Sequence, residues 1–590
     1  MSLQETLKTH LQENHFITPS YTLYDGLSGF QDYGPLGFMV RTKLLALWRK
    51  HFLVPDNISE VETPVLMSYP ILKASGHIDR FSDFVVYDYQ QKCHRADHLV
   101  KAHMNELQQD SINAERSINV DSMSPLDLET YINEHQLVLG KAVHEGITEQ
   151  GQGDGGDRGD QKLEREPVKV TTKNLMLRVD ELYLRPELAQ GIFVNFKRYL
   201  EFNRNRLPFG ISQLGKSFRR EISPQQFVRL REFTQFEIEY FFDPLITTHD
   251  HFNDIRDIIL PLFTGDRQLC GQGVLNITVA EAVNQGIICN QILAYFLARI
   301  YQFAEIIGLD RDKIRFRQHL PTEKSHYASD CWDFECMIDG DWLECAGCAN
   351  RQSYDLKAHS SNNRHSLTVK RDKRITKVIP LMKCIGKVYK ANGHKLSSYL
   401  MNLDSKQVFE LQSAIISGQE MTYIVEDIEF TVIGDMVEFS EQFEEFYPHV
   451  IEPSFGIDRL MYAVFSHNFY VRPDDEQRIV LSLNQNIAPY DVAILQLSND
   501  EHILGMLEQI HKTLRSAGLT CYIDQSGVAI GRRYARIDKI GIKTAITVDF
   551  DSLTDRKVTI RERDTMQQVR VEISKLSEKF PLFEKFPMFE

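Results

Sequence analysis

The sequence predicts an α+β fold: a largely antiparallel core sheet flanked by helices, followed by a smaller α/β domain at the carboxyl end. Three observations lead there. Residues 211–242, ISQLGKSFRREISPQQFVRLREFTQFEIEYFF, alternate with a period of two. Leu214, Phe218, Ile222, Val228, Leu230, Phe236, Ile238 and Tyr240 form the apolar set, and Gln213, Ser217, Arg219, Glu221, Arg229, Arg231, Gln235, Glu237 and Glu239 the polar one. That is two half-buried strands with a turn near Ser223 and Pro224. From about residue 488, apolar strands alternate with helical stretches in β-α-β-α-β order, the pattern of a doubly wound sheet. At 590 residues the chain is also too long for one core.

Composition narrows the function classes. The chain is 42% hydrophobic and 25% charged, as ordinary globular proteins are. It has no run of about 18 apolar residues, so no membrane span is expected. The first residues, MSLQETLKTHLQENHF, lack an apolar signal core and any arginine, which predicts neither secretion nor mitochondrial import. Nine scattered cysteines fit reduced thiols and a cytoplasmic location. A net charge of −15 argues against indiscriminate nucleic-acid binding but leaves room for a local basic groove.

Taken in order, residues 1–106 form the first part of the core region. Gly34-Pro35 opens a helix with Val40, Leu44, Leu47, Trp48 and Phe52 on one stripe, suited to core packing or to a dimer face. ISEVETPVLMSYPILKASGHIDRF alternates like a strand and turns at Gly76-His77. His94, Arg95, Asp97 and His98 cluster without a standard metal-ligand spacing, as on a solvated helix or structural loop. Residues 107–170 form an insertion whose stretch EQGQGDGGDRGDQ (149–161) reads as a flexible loop, not a calcium site. The core resumes over 171–356. In it, Pro186 punctuates a strand-to-helix change with Glu187 at the helix start. Cys331, Cys336, Cys345 and Cys348 invite a zinc reading, but WLECA has the texture of a buried strand, so no protein-bound zinc is expected. A second insertion, 357–445, carries Lys370, Arg371, Lys373 and Arg374 as a solvated loop or an RNA contact. Residues 446–487 return to the core, with Glu452, Pro453 and Ser454 at a strand end, Gly456 opening a helix and Arg459 about one turn in. In the last region, 488–590, Arg532, Arg533 and Arg536 with Tyr534 suit RNA contact or a charged helix face. The tail repeats EKFPLF and EKFPMF.

The polar face of the 211–242 hairpin combines arginines, carboxylates and Phe233. Guanidinium forks suit phosphates, carboxylates suit an ammonium or ribose hydroxyl, and an aromatic can stack on a purine. Eight segments then recur in a known order: YGPLG, ILKASGHIDRF, RADHL, RPELAQG, FRREISP with REFTQFEIEYF, WDFE, VIEPSFGIDRL and IGRRYAR. In these the chain resembles the class II aminoacyl-tRNA synthetases, specifically the dimeric glycyl-tRNA synthetases of the eukaryotic and archaeal type, from about residue 16 to 575. The resemblance implies an antiparallel catalytic sheet, a C-terminal anticodon-binding α/β domain, and ligation of glycine to tRNA(Gly) through glycyl-adenylate, with ATP and Mg²⁺. It implies a homodimer with the YGPLG helix at its interface. It places ATP on Arg219, Arg220, Glu221, Arg229, Leu230, Phe233, Glu344, Cys345 and Arg459, with Arg219 on the α-phosphate, Glu221 near the adenine amino group, Phe233 stacked on adenine and Arg459 on the γ-phosphate. It places glycine among Glu187, Glu237, Glu452, Pro453 and Ser454, and tRNA near Arg532, Arg533 and Arg536.

This chain departs from the family pattern at several points. Leu188 stands where Thr is usual, Gln225 where a basic residue follows ISP, and Cys345 where an aliphatic is usual; the loop before RPELAQG is short. A helix-hairpin RNA-binding appendage before residue 16 is not expected. A catalytically weakened tRNA-binding relative and a different class II specificity are the competing readings. Glycine-dependent pyrophosphate exchange, repeated with alanine, serine and threonine, separates the three.

Overall fold

The computed structural model describes residues 2–109, 120, 123–138, 168–323, 328–473 and 475–576. The Gly/Asp-rich stretch 149–161 and the FPLF/FPMF tail lie outside the described residues. One compact unit comprises 1–362 with 449–590, and a second comprises 363–448.

In the first unit the amino-terminal helix α1 (Leu3–Glu13) opens on a capping box between Ser2 and Glu5. Helix α2 (Pro35–Phe52) starts at Gly34 with proline in its first turn. A Cβ on Gly34 would lie 2.2 Å from the His15 carbonyl oxygen, and one on Gly37 1.9 Å from that of Phe16. The glycines of YGPLG thus permit backbone to pass against backbone. The stripe Val40, Leu44, Leu47, Trp48, Phe52 is buried within the chain itself, and Trp48 stacks on Phe236 with ring centroids 3.6 Å apart. The segment 58–81, expected as a strand, is largely two short strands and two short helices, Tyr69–Ala74 and His77–Arg80.

The core sheet takes β1 (Ser59–Val61), β2 (Phe209–Phe218), β3 (Glu232–Phe242), β4 (Ile259–Phe263), β5 (Leu275–Thr278), β6 (Ile314–Gln318), β7 (Asp330–Ile338), β8 (Asp341–Gln352) and β9 (His449–Gly456). Its spatial order is β5-β4-β6-β7-β8-β9-β3-β2-β1. The stretch from β6 to β2 is antiparallel throughout; β1 and β4 make the parallel pairs towards its edges. Two expectations are corrected here. Strand β3 is central, between β9 and β2, and is covered on both faces: Glu237 and Glu239 are 2% and 0% exposed. The link from β2 to β3 is a long loop, 219–231, rather than a turn at Ser223-Pro224. Within it Gln225 and Arg229 close a small bridge. Arg219, Glu221 and Arg229 therefore lie on that loop, and strand parity governs only Phe233, Gln235, Glu237 and Glu239. One face of the sheet packs on α2, on the apolar helix Gln291–Ile306 and on the helix Ile457–His467, with Phe236, Ile238, Phe455 and Met461 in the shared core.

The carboxyl region is a five-stranded sheet of β10 (Val492–Gln496), β11 (Cys521–Asp524), β12 (Thr544–Val548), β13 (Lys557–Glu562) and β14 (Gln568–Glu572), in the order β11-β10-β12-β13-β14. The first three are parallel, as the βαβ reading expects, and the last two antiparallel. Lys43 of α2 pairs with Asp491 at 2.7 Å, and the His10 imidazole of α1 lies 2.8 Å from the Lys539 carbonyl, joining this region to the core. No helix among the described residues is long and apolar enough to cross a membrane.

The second unit has its own core of Ile385, Leu396, Leu411, Phe430 and Val432. Its long strand Val369–Pro380 pairs antiparallel with Val437–Phe446. The basic stretch is therefore strand, not loop: Arg371 meets Glu444 at 2.9 Å, and Arg374 meets Glu441 at 3.6 Å.

Candidate active site

Two neighbouring pockets open where β3, β8, β9 and the 219–231 loop meet. The first, about 120 Å³, is lined by Arg219, Glu221, Arg229, Leu230, Phe233 and Arg459, among others. The second, about 520 Å³, is lined by Glu187, Glu237, Glu452 and His77, among others. Arg219, Gln235, Glu344, Gly347 and Ser454 line both, so the two form one continuous cleft.

The first pocket is cationic and loop-borne. The Arg219 guanidinium sits over the rings of Phe81 and Phe233, 5.2 and 5.3 Å from their centroids, which fixes its plane with little hydrogen bonding. Arg459, in the first turn of the helix Ile457–His467, donates to the Val228 carbonyl at 2.8 Å and to the Glu344 carbonyl at 2.9 Å. It also meets the Glu344 carboxylate at 3.1 Å. Arg229 lies against the His98 imidazole. Burial, then the charges of Arg229 and Arg95, push the His98 pKa down to about 3, so His98 stays neutral and can accept from Arg229. Arg95 pairs with Asp97 at 2.7 Å, with Asp83 at 3.1 Å and, more loosely, with Glu221 at 3.8 Å. The RADHL cluster is thus no solvated helix face: it braces the loop that carries Glu221 and Arg229. Glu221 Oε1 is buried without a hydrogen-bond partner, an acceptor aimed into a site that a donor would satisfy.

The second pocket is acidic and strand-borne. Arg351 lies beneath it, 1% exposed. It donates in bidentate fashion to Asp355 at 2.8 and 2.9 Å and to Glu452 at 2.9 Å, and lies 3.8 Å from Glu187. Gln190 bridges Glu187 and Asp355, at 3.0 Å to each, and His77 lies 3.2 Å from Glu187. Burial alone would raise the Glu187 pKa, but His77 and Arg351 outweigh it and hold the carboxyl below its usual range. Glu237 has the opposite balance. Burial, then the charges of Glu452 and Glu187, push it up to about 8, although the Leu188 N–H donates to it at 2.8 Å. Burial also lifts Glu452, to about 7 against the pull of Arg351, and pushes Glu239 well above its ordinary value. Carboxylate oxygens of Glu237, Glu239 and Glu452 lie within 4.8 Å of one another. Such a notch accepts a cationic group far more readily than an anion.

Most of the expected site residues converge, with three exceptions. Arg220 lines neither pocket; its N–H donates to the Leu175 carbonyl outside the cleft. Pro453 is buried and alternates to the opposite face of β9 from Glu452 and Ser454. Arg533 is buried, 4% exposed, with its guanidinium towards the Asp524 carbonyl, so it is not a surface contact; Tyr534 is buried too and bonds Thr547 at 2.7 Å. Arg532 is exposed, and Arg536 pairs with Asp524 at 3.2 Å. Leu188 is fully buried, and its contribution to the notch is its backbone N–H, which any residue but proline would supply. Cys336, Cys345 and Cys348 are buried on β7 and β8, and the four cysteines of that region do not gather at one point. Sequence reasoning missed Arg351, Asp355 and Gln190, the buried supports of the notch. It also missed Asp458, which lines the first pocket and accepts from the Thr234 N–H at 2.7 Å and the Tyr33 hydroxyl. Arg351 lies near the end of β8 and Asp355 four residues on, in the first turn of the helix Tyr354–Ser361, a spacing that was present in the sequence.

Two family models match the chain: a tRNA synthetase class II core domain (G, H, P, S and T) over residues 174–468, and an anticodon binding domain over 491–581. A glycine–tRNA ligase of Methanothermobacter thermautotrophicus is 38% identical, with 97% of each chain covered. That of Methanocaldococcus jannaschii is 37% identical, with 95% of each covered. The chain belongs to the glycine–tRNA ligase family of class II tRNA synthetases. A Drosophila melanogaster glycine–tRNA ligase is 35% identical over 97% of this chain and 78% of its own. Among solved structures, Giardia lamblia prolyl-tRNA synthetase in complex with prolyl-adenylate aligns with a TM-score of 0.51 at 14% identity, over 98% of this chain and 74% of that one. At that identity the likeness concerns the class II fold. As a glycine–tRNA ligase family member, the chain keeps its cleft on the antiparallel part of the sheet and its α/β domain at the carboxyl end.

Proposed function

We propose that this chain activates glycine with ATP to glycyl-adenylate and transfers the glycyl group to the 3′ end of tRNA(Gly). The observation that carries the reading is one cleft with arginines in one half and buried carboxylates in the other, with Arg219 at the junction. ATP occupies the cationic half: Glu221 Oε1 takes the adenine amino group, Phe233 meets the base, Leu230 and Cys345 line it, and Arg459 and Arg229 take the outer phosphates. Glycine enters the acidic half, its ammonium among Glu187, Glu237 and Glu452 beside Ser454.

The glycine carboxylate then attacks the α-phosphorus beside Arg219, and the bond to pyrophosphate breaks. Negative charge grows on the α-phosphate and the leaving group, and fixed guanidinium groups stabilise it by position. Glu344 in the first pocket would offer a carboxylate oxygen to Mg²⁺ accompanying ATP, which when bound would add to that neutralisation. Glycine has no side chain to grip, and a missing methyl contact is worth only about 1–3 kcal/mol, so the notch selects by excluding the methyl of alanine. A homodimer working in the cytoplasm, with the exposed part of α2 near its interface and exposed Arg532 and Arg536 towards tRNA, completes the reading.

The test is glycine-dependent pyrophosphate exchange and tRNA charging, wild type beside Arg219→Ala. Glycine should support exchange, alanine should not, and the variant should lose it. A folded wild-type protein that gives no exchange with glycine would remove the enzyme reading.

A further inference from the structure

Beside the acidic notch, three side chains of mixed donor type meet without a role in the chemistry above. His319 follows β6 directly, and its backbone N–H donates to the Cys331 carbonyl at 2.9 Å, which locks the backbone against β7. Cys331 and Asp333 are two apart on β7 and so leave the same face. The imidazole, thiol and carboxylate donor atoms lie within 4.8 Å of one another, and all three residues line the 520 Å³ cavity.

His319 and Asp333 form a close ion pair. Nε2 lies 2.9 Å from Asp333 Oδ1, yet neither ring nitrogen has an aligned hydrogen-bond partner, and both are buried. The second carboxylate oxygen is held separately, by Arg317 at 3.0 Å, and Arg317 is itself held by Glu323 at 2.6 Å. Outer contacts of this kind orient first ligands at metal centres. The surroundings are rich in carboxylates: Glu187, Glu237, Glu344 and Glu452 line the same cavity.

We propose that His319, Cys331 and Asp333 form a three-donor site for a divalent transition-metal ion of the zinc type, with its fourth position open to the cavity. A nitrogen, sulfur and oxygen set suits zinc. It does not suit Mg²⁺ or Ca²⁺, which take oxygen donors, so this site is separate from any ion that arrives with ATP. The open position faces the cavity shared with the notch and takes water or an oxygen of a bound anion. The proposal replaces the expectation of no protein-bound zinc, which weighed Cys331, Cys336, Cys345 and Cys348 as the ligand set. It does not depend on the choice of amino acid.

Full-length protein purified without chelators is assayed for metal by elemental analysis. Chelator-treated protein is then titrated with CoCl₂ and read by thiolate-to-cobalt charge-transfer absorption. Wild type should hold stoichiometric zinc and show the absorption. Cys331→Ser and His319→Gln should weaken binding by at least ~10–100-fold, and Cys348→Ser, a buried thiol outside the set, should leave it unchanged. Circular dichroism confirms that each variant is folded. Metal-free wild type with no cobalt–thiolate absorption would overturn the site. So would metal content that survives Cys331→Ser, which would place the ion elsewhere, for instance at Glu237, Glu239 and Glu452.

Discussion

The two halves of the cleft hold their charges in opposite ways. In the nucleotide half, Arg219 and Arg229 stand on the 219–231 loop and Arg459 on a helix start. They are steadied by aromatic faces, backbone carbonyls and a neutral histidine. In the amino-acid half, Glu237 and Glu239 stand on central strand β3 and Glu452 on its neighbour β9, buried, with Arg351 beneath them. The difference teaches where rigidity is needed. A triphosphate is large and multiply charged, so cations set on a loop and a helix start can meet it at several points. The smallest amino acid offers one ammonium and no side chain, so its notch must be fixed by the sheet before it arrives.

The sharpest way to break that contrast is at Arg351. Arg351→Met leaves Glu452 and Asp355 buried without their cation. Removing one partner of a buried pair costs about 3–5 kcal/mol, so thermal unfolding should move down markedly. A variant with wild-type stability would mean the notch does not rest on Arg351. Next in size, Arg219→Ala should keep wild-type stability, because the side chain is partly exposed and loop-borne, while losing ~10²–10³-fold or more in exchange rate, the usual cost of one transition-state donor. If stability fell instead, the loop would be a structural element and the contrast would fail.

A smaller effect lies in the pH dependence. In the glycine-free protein, Glu237 is raised from 4.5 to about 8 and Glu452 to about 7. The native state then holds protons that the unfolded chain has released, so their contribution to stability is full below about pH 4.5 and declines as pH rises to about 8. Glu187, held down, acts in the reverse sense: its contribution is present above pH 4.5 and is lost on acidification. Melting temperature measured against pH should fall from pH 6 to 8.5 without glycine, and this fall should be shallower in Glu237→Gln. The ammonium of glycine favours the ionised carboxylates, so the KM for glycine should drop over the same range. Flat profiles in both measurements would mean the three carboxylates are not coupled.

Much of this was legible in the sequence because the signals were local. The alternation of 232–242, the Gly456 helix start before Arg459 and the β-α-β-α-β order after 488 each lie in one stretch of chain, and each forms the element type that was expected. The helix start at Gly34-Pro35 was legible, but the reason for glycine at 34 and 37, carbonyl contacts with His15 and Phe16, was not. What escaped depends on long-range pairing. Alternation at Glu237 and Glu239 suggested an exposed face, since a period of two cannot say whether the other face is covered by solvent or by Arg351. The loop 219–231 was read as strand because its arginines continued the parity by coincidence. RADHL was left between a solvated helix and a structural loop because its partners, Glu221 and Arg229, lie more than a hundred residues away. Parity could have excluded Pro453, and the helical period of Ile530–Lys539 could have buried Arg533 beside Tyr534 and Ile537.

The division of the cleft is tested most directly by the KM for ATP and for glycine in pyrophosphate exchange, measured in Phe233→Ala and Glu237→Gln. Loss of base stacking worth about 1–3 kcal/mol should raise the KM for ATP ~5- to 150-fold in Phe233→Ala and leave that for glycine near wild type. Glu237→Gln should do the reverse. If both substitutions raise the same KM, or if Glu237→Gln raises that for ATP alone, the assignment of one half to the nucleotide and the other to glycine is wrong.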